Sequence, residues 1–370
     1  MSWFRAHGED AVPSPALLVH LGRVEENLRR MLEIAGSPGR IWPHVKTHKL
    51  PELVELQTRL GIGTFKCATV AEAEMLAGVE GVRRILLAFQ PVGPNAERLV
   101  RLSRSFPKVA FATLTDCLEA AEALSRVVVG TDGGPRIDLF LDLDVGQGRT
   151  GIPAGAAALE LAVRLESLDG LRLAGLHAYD GHLGITDPVQ RTMACDEAYA
   201  PVAALRRELE GVLGRPLEVV AGGSPTFQIH ARRPDVTLSP GTTVLWDAGY
   251  ARKLPDLPFL PAAVLLTRIV SKPAPNRICL DLGHKAVGSE MPAPRMEFLD
   301  LPEAQFVSHS EEHLVVESPA AAGLRVGGSL HALPWHVCPT VALHSEVWPV
   351  RAGEVLDPWT VAARARRLRF

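Results

Sequence analysis

The chain is poor in several features that mark specialised classes of protein. It has five cysteines among 370 residues, Cys67, Cys117, Cys195, Cys279 and Cys338, and no two of them form a CxxC pair. This scatter argues against a disulfide framework and predicts a reducing compartment, most simply the cytoplasm. The net charge is only -3, so there is no electrostatic reason to expect binding to nucleic acid or to an anionic membrane surface.

Long apolar segments are also missing. No run approaches the roughly 20 residues that span a bilayer, so no membrane partner is predicted. The first residues, Met1 to Arg5, lack the apolar core of a signal peptide. With 47% hydrophobic and 22% charged residues, the composition is that of an ordinary globular protein, and the length predicts two domains.

Short β-rich runs alternate with amphipathic helical runs from Pro15 to about Thr226. Eight strand candidates in this region predict a (β/α)8 barrel. A doubly wound open sheet is the competing architecture, but no GxGxxG motif follows the first strand. The eight predicted strands are 16–19, 41–46, 64–67, 85–89, 109–113, 137–145, 173–179 and 217–220.

The pattern changes after about Leu245, where helical periodicity fades and prolines and glycines become dense. Short β-rich runs at 263–267, 277–281, 313–316 and 341–344 predict an all-β second domain. We therefore predict a barrel over residues 13–245 and a β-domain over residues 246–370. Residues 1–12 are expected to pair with the β-domain.

Two lysines and two histidines crowd into the segment 43–49. On a strand, alternation would point Trp42, His44, Lys46 and His48 to one face. A lysine held among histidines and an aromatic ring is suited to bond covalently to an aldehyde cofactor. A solvated basic edge strand is the alternative.

Polar side chains also follow later strands, at the barrel end where active sites form. Arg149 follows the sixth predicted strand and could hold a ring oxygen or a pyridine nitrogen, or simply pin a loop to a carboxylate. Tyr179 and His182 follow the seventh strand. Tyr179 could line a cofactor ring, and His182 could be a general base near neutral pH or a structural histidine.

Two further motifs offer binding groups. Gly222, Gly223 and Ser224 follow the last predicted barrel strand, where backbone N–H groups and a hydroxyl could hold a phosphate, although the same residues also form plain turns. His336 and Cys338 would share one face of a strand and could bind a divalent ion such as Zn2+. A buried cysteine beside a hydrogen-bonded histidine is the alternative.

Together these motifs resemble the metal-activated D-threonine aldolase and D-serine dehydratase family, which are alanine racemase-like enzymes of fold type III that use pyridoxal 5'-phosphate (PLP). The resemblance runs nearly end to end, with the lysine motif 43–49, the junction 67–74 and the motif 336–340 in the family's order. It implies a barrel that binds PLP and a β-domain that carries a divalent metal, Zn, Mn or Mg. The implied contacts are a covalent bond from Lys46, ring contacts from Arg149 and Tyr179, phosphate contacts from Gly222, Gly223 and Ser224, and metal ligands His336 and Cys338.

The resemblance also implies a homodimeric lyase for small D-3-hydroxy-amino acids. We expect retro-aldol cleavage to glycine and an aldehyde, with His182 as the base. The alternative is β-elimination to a 2-oxo acid and ammonia, as in a D-serine or D-3-hydroxyaspartate dehydratase. Cys338 favours elimination because the family's aldolases tend to carry His-x-Asp, whereas residues 179–182 and 245–250 resemble the aldolases. A metal-free racemase, a PLP-binding protein without a reaction and a barrel without PLP are further alternatives.

Overall fold

Two sheets carry the fold in the computed structural model, which describes residues 2–130 and 136–368. Met1, residues 131–135 and residues 369–370, which the predicted domain ranges include, lie outside the described residues. The strands are β1 (Ala16–His20), β2 (Thr64–Cys67), β3 (Arg84–Leu87), β4 (Ala110–Thr115), β5 (Ile137–Asp144), β6 (Ile152–Pro153), β7 (Leu171–Ala178), β8 (Glu218–Ala221), β9 (Thr237–Leu238), β10 (Ala263–Ala274), β11 (Arg277–Leu280), β12 (Met296–Phe298), β13 (Gln305–His309), β14 (Leu314–Glu317), β15 (Ser329–Pro334), β16 (Glu346–Arg351), β17 (Glu354–Val355) and β18 (Trp359–Thr360).

Most helices lie between strands in the first two thirds of the chain, and those after α7 are short. No helix among the described residues is long and apolar enough to cross a membrane. The α-helices are α1 (Leu21–Ala35), α2 (Pro51–Arg59), α3 (Val70–Ala77), α4 (Pro94–Ser105), α5 (Leu118–Val129), α6 (Ala156–Leu165), α7 (Pro188–Leu213), α8 (Phe227–Ala231), α9 (Ala248–Lys253) and α10 (Val337–Leu343).

The chain divides into two compact units. The first, here called the barrel unit, comprises Leu32–Lys46, Leu53–Gly241 and Ala365–Phe370. Its parallel sheet has the order β2-β3-β4-β5-β7-β8-β9, and β6 pairs with β5. Parallel bridges from Ile41 to Leu238 and from His44 to Lys66 insert the segment 41–44 between β9 and β2. This segment is the eighth strand of the ring, so the predicted (β/α)8 barrel is confirmed.

One of the eight predicted barrel strands was assigned to the wrong sheet. β1 pairs antiparallel with β10 and parallel with β16 in the other unit, so it is not a barrel strand. The barrel instead uses β9, which the sequence pattern did not reveal because it has only two residues. All five residues of β1 are buried, and a continuous apolar run does not tell which sheet buries it.

Charged side chains link the strand beginnings inside the barrel unit. Arg84, the first residue of β3, donates hydrogen bonds to Glu218 on β8 and to Asp138 on β5. Arg172 on β7 also donates to Asp138. The Arg84 guanidinium lies 4.8 Å from the ring centroid of Trp42, in the apolar cluster at the centre of the barrel. These pairs occupy the N-terminal ends of the strands and leave the C-terminal ends for a site.

The second unit, here called the sheet unit, comprises Met1–Met31, Thr47–Glu52 and Thr242–Arg364. Its sheet has the order β13-β14-β11-β10-β1-β16-β17, with β12, β15 and β18 paired at the side. Near the start of the chain, His7 forms a parallel bridge with Glu354. The core of this unit packs Leu18 of β1 against Val264 and Leu266 of β10.

Candidate active site

A cavity of about 490 Å³ opens at the C-terminal ends of the barrel strands. Its wall includes residues at or just beyond the ends of β2, β3, β4, β5 and β7, as expected for a barrel active site. The polar and aromatic residues of its wall include His44, Lys46, Lys66, Asp142, Arg149, His177 and Tyr179. The structure therefore brings together three of the predicted site residues, Lys46, Arg149 and Tyr179.

The lysine motif reaches this cavity by a different backbone path from the predicted one. The segment is paired only as far as His44, and Val45–Thr47 forms a 3-10 turn. The backbone N–H of Lys46 donates to Nδ1 of His44 at 3.4 Å, a local bond that competes with sheet pairing. The prediction of one continuous strand face from Trp42 to His48 was therefore wrong. His48 is buried, and burial lowers its pKa to about 3.

The ring of Tyr179 lies among three cationic side chains. The Nζ atoms of Lys46 and Lys66 are 5.4 and 5.3 Å from the ring centroid, and the Arg149 guanidinium carbon is 5.1 Å away. A Cβ added to Gly181 would lie 2.1 Å from the Tyr179 hydroxyl, so a side chain at this position would displace the Tyr179 ring. The cluster offers an aromatic surface and positive charge to a planar, anionic ligand.

A hydrogen-bond chain that the sequence pattern did not reveal lies beside Tyr179, and it is buried from Asp142 onward. Thr150 Oγ1 donates to Asp142, and Asp142 accepts from His177 Nδ1 at 2.7 Å. His177 Nε2 lies 3.3 Å from Lys66 Nζ, which also donates to Ser239 Oγ at 2.7 Å. One signal was available, because Lys66 is a charged residue inside an apolar strand candidate.

A second buried cluster, also missed, fixes the residue after Tyr179. Asp180, Cys195 and His230 place their ligand atoms within 4.8 Å of one another, a donor set that a metal could use. The guanidinium of Arg233 can only donate to His230 Nδ1, at 2.9 Å, so Nε2 carries the proton and donates to Asp180 at 2.8 Å. In this structure, the cluster is therefore linked by a hydrogen bond in which His230 carries the proton and Asp180 accepts it.

The predicted phosphate residues lie directly after the end of β8. The N–H groups of Gly222 and Gly223 already donate within the chain, to the Ala178 carbonyl and to the Asp180 carboxylate. Gly222 has a φ of +82°, a conformation that favours glycine. The hydroxyl of Ser224 accepts from the Gly241 N–H at 3.3 Å, so the loop after β9 meets the one after β8. The sequence pattern did not reveal this loop because β9, which precedes it, has only two residues.

His182 is exposed on the loop after β7. Its Nε2 lies 3.4 Å from the position that a Cβ on Gly146 would take. The pKa of nearby Asp144 is lowered chiefly by the hydrogen bond from the Gly148 N–H, and His182 adds a small further lowering. Among the described residues, those that line the cavity do not include His182. Its role as a base stays a prediction.

The predicted metal ligands lie in the sheet unit, at the beginning of a helix. His336 is the N-cap of α10 and Cys338 is in its first turn, so the predicted strand was wrong. The backbone N–H of Val337 donates to the buried carboxylate of Asp247 at 3.0 Å, which anchors this helix end. The two side chains still meet at this helix beginning, where His336 and Cys338 are hydrogen-bonded to each other.

Further donor atoms surround this pair. His336 Nδ1 contacts the carboxylate of Glu290, and Cys338 Sγ lies 3.3 Å from Thr47 Oγ1. Burial alone would lower the pKa of His336, but Cys338 and Glu290 outweigh it and raise this pKa to about 9. Imidazole, sulfur and carboxylate form a donor set that suits a borderline-soft divalent ion.

Comparison with known proteins supports an origin in one family. The family described as "Alanine racemase, N-terminal domain" matches residues 19–245, and the "Putative serine dehydratase domain" matches residues 262–350. The chain is 32% identical to a D-threonine aldolase of an Arthrobacter species, over 95% of this chain and 93% of that protein. The chain belongs to the alanine racemase-like family that includes D-threonine aldolase.

Other members of this family and solved structures agree. A 3-hydroxy-D-aspartate aldolase of Paracoccus denitrificans (strain Pd 1222) is 28% identical over 97% of this chain and 94% of that protein. The crystal structure of D-threonine aldolase from Filomicrobium marinum is 28% identical and matches with a TM-score of 0.89, covering 96% of this chain and 97% of that chain. D-threo-3-hydroxyaspartate dehydratase from Delftia sp. HT23, at 22% identity and a TM-score of 0.78 over 95% of this chain and 98% of that chain, shares the fold.

PLP is the cofactor expected for an alanine racemase-like family member, and the barrel residues fit it. The cavity has the size of a small-molecule site. Lys46 supplies an amine on its wall, Tyr179 supplies a ring surface, and Lys66 and Arg149 supply charge. The Gly181 and Gly222 positions, where side chains would collide with Tyr179 and His230, keep the backbone close to these groups.

Proposed function

We propose that this protein is a PLP-dependent lyase that cleaves D-3-hydroxy-amino acids to glycine and an aldehyde. The observation that carries the proposal is Lys46, an amine on the wall of the barrel cavity, in a chain that resembles a D-threonine aldolase over 95% of its length. When bound, PLP supplies a sink for the electron pair left at Cα.

The chain's own residues would divide the work. Lys46 binds the cofactor aldehyde, and Tyr179 and Arg149 hold the cofactor ring. Ser224, with the loop of Gly222 and Gly223, positions the phosphate. His182 takes the proton of the substrate hydroxyl.

His336 and Cys338 would hold a divalent metal, with Glu290 beside them. Such an ion supplies Lewis-acid chemistry at an oxygen. The helix beginning that carries both ligands is anchored by Asp247, so the ligands are presented from a fixed backbone. After chelator treatment, adding Zn, Mn or Mg separately and measuring which ion restores activity would identify the metal.

β-Elimination is the second candidate function, and one observation favours it. Cys338 stands where the family's aldolases tend to carry aspartate, and its hydrogen bond to His336 gives the sulfur a direct place in the ligand set. The products would then be a 2-oxo acid and ammonia.

Product analysis separates these candidates. The purified protein is incubated with PLP and a divalent metal, once with D-threonine and once with D-serine, and glycine, aldehyde, ammonia and 2-oxo acid are measured. We expect glycine and acetaldehyde from D-threonine without ammonia. Ammonia and pyruvate from D-serine would select the dehydratase, and loss of chirality with neither product would select a racemase.

Two controls complete this experiment. Lys46→Ala should abolish product formation and should also abolish the labelling of a lysine with cofactor after borohydride treatment. Lys108→Met, which changes an exposed lysine, should leave both measurements unchanged. Activity that persists in Lys46→Ala would contradict the proposal. Activity that survives chelator treatment would contradict the proposed requirement for a divalent metal.

We further propose that the protein works as a homodimer in the cytoplasm. The support is the family resemblance together with the five cysteines, all of which are free thiols in the structure, as suits a reducing compartment. Light scattering on the purified protein would test the dimer.

A further inference from the structure

Lys66 is a buried lysine that the proposed function leaves without a task. It is the third residue of β2, its exposed fraction is 1%, and it lines the cavity beside Tyr179. Burying an ammonium group is costly, so a lysine in this position calls for a functional explanation. The inference below rests on the proposed use of PLP.

The hydrogen bonds of Lys66 define the roles of its partners. A carboxylate only accepts, so the short contact between Asp142 and His177 means that Nδ1 of His177 donates. His177 Nε2 is then an acceptor and takes a hydrogen bond from Lys66 Nζ at 3.3 Å. The hydroxyl of Ser239 donates to the Gly222 carbonyl at 2.9 Å, so its oxygen accepts from Lys66.

Both partners of the Lys66 amine are therefore acceptors. A neutral amine in this position donates both of its N–H groups and keeps one lone pair, whereas an ammonium group keeps one further N–H. In either state Lys66 can share a single proton with a ligand in the cavity. The bonds to His177 and Ser239 hold the nitrogen in place for that exchange.

The charges around Lys66 allow both states near neutrality. Lys46 and Arg149 disfavour a charge on it, Asp142 and Asp180 favour one, and His177 lies against it. Burial is the largest effect and, together with Lys46, lowers the pKa of Lys66 to about 7.

The register of the barrel gives the direction in which Lys66 lies. The parallel bridge between His44 and Lys66 puts Lys66 level with His44, two residues before Lys46 and thus nearer the N-terminal ends of the strands. In the cofactor, the pyridine nitrogen is para to the carbon that bears the aldehyde, so it is the ring atom farthest from a lysine bonded there. Arg149 is exposed on the loop after β5 and keeps its proton at all working pH values.

We propose that Lys66 faces the pyridine nitrogen of PLP and shares one proton with it, held for this purpose by His177 and Ser239. Lys66 is then the residue that sets the charge on the ring nitrogen. That charge governs how strongly the ring withdraws electrons.

The test uses the holoenzyme loaded with PLP that is labelled with 15N in the ring. The 15N chemical shift reports ring protonation directly and does not depend on any substrate. We compare the wild type, Lys66→Met, Lys66→Arg and the exposed control Lys108→Met over pH 6–9. The expected result is that both Lys66 variants change the ring shift and its pH dependence, whereas Lys108→Met reproduces the wild type. In Lys66→Arg, the ring nitrogen should remain unprotonated, because arginine keeps its own proton.

With the substrate identified by product analysis, kcat should fall about tenfold or more in both Lys66 variants, with a smaller change in KM. A ring shift in Lys66→Arg that is indistinguishable from the wild type would overturn the proposal, and this variant decides the matter if Lys66→Met does not fold. The proposed lyase activity can fail separately, because the ring shift remains measurable in a protein that binds PLP and cleaves none of the substrates.

Discussion

At the scale of single residues, the site is a set of charges whose partners are specified atom by atom. Asp180 is an example, because its carboxylate accepts from the Gly223 N–H at 3.0 Å, from Thr226 Oγ1 at 2.7 Å and from His230 Nε2 at 2.8 Å. Burial alone would raise the pKa of Asp180, yet these three donors together keep it below its ordinary value. A single carboxylate thus joins the end of β7 to the end of β8.

Replacement of this carboxylate should loosen the cofactor site. In Asp180→Asn, the amide N–H2 must face one of three donors, which should cost about 1–3 kcal/mol of unfolding free energy. The dissociation constant for PLP should rise because the Gly223 loop loses its anchor. Urea denaturation and absorbance titration with PLP measure the two effects. The matched control is Asp169→Asn at an exposed carboxylate, and equal behaviour of the two variants would contradict this role.

Within the site, the residues that could be predicted from sequence are those with a local signature. Lys46 and Tyr179 were predicted because histidines, glycines or titratable groups crowd around them in the chain. Lys66 and Ser239 were not, because they become a site only through a neighbour more than a hundred residues away in sequence. A one-dimensional pattern contains no such neighbour.

At the scale of elements, β1 and β9 show how a correct strand count can hide a wrong assignment. β1 is as apolar as a barrel strand but is buried in the other sheet, between β10 and β16. β9 has only two residues, yet it carries the bridge that seats the segment 41–44 in the barrel. Strand length and hydrophobicity therefore predict a strand, whereas pairing decides its place.

The placement of β1 predicts the effect of a core substitution. Leu18 has an exposed fraction of 0% and packs with Val264 and Leu266, so Leu18→Ala should cost about 2–5 kcal/mol of unfolding free energy. Leu60→Ala, at a leucine that is 42% exposed, should cost much less. Hydrogen exchange should show faster exchange in β10 and β16 for the Leu18 variant, and a change limited to β2 and β9 would contradict the pairing.

At the scale of the whole molecule, one buried ion cluster in the sheet unit joins distant parts of the chain. His331 contacts the carboxylates of Glu9 at 3.1 Å and Asp300 at 2.8 Å. Burial opposes a charge on His331, but the two carboxylates outweigh it and raise its pKa above 6.5. The same contacts keep the pKa values of Glu9 and Asp300 below their ordinary values despite burial.

The sign of these shifts predicts a pH dependence of stability. The contribution of a raised histidine pKa is complete below about pH 6.5, its unfolded value, and is lost as the pH rises through the folded value. The carboxylates contribute above about pH 4–4.5 and lose their contribution as the pH falls. The cluster should therefore stabilise the protein most between about pH 5 and 6.

His331→Gln isolates this contribution. Removal of one partner from a buried ion cluster should cost about 3 kcal/mol near pH 5.5. The difference in unfolding free energy between variant and wild type should shrink as the pH rises above the folded pKa of His331. Denaturant titrations at several pH values measure it, with His313→Gln at an exposed histidine as the control. A difference that grows above pH 7 would contradict the assignment.

Residue type and order were enough to predict a lysine-based cofactor site and the class of the fold. The lysine motif, the order of the motifs around it and the alternation of strands and helices are local properties, and local periodicity and residue type express them directly. The folded chain was needed to show that β1 pairs outside the barrel and that β9 completes the ring. It was also needed to show that His336 and Cys338 lie at the beginning of α10 and that Lys66 and His177 meet. The physical reason is that pairing and burial depend on surfaces brought together from distant parts of the chain, and the free energy of a buried charge depends on every group around it.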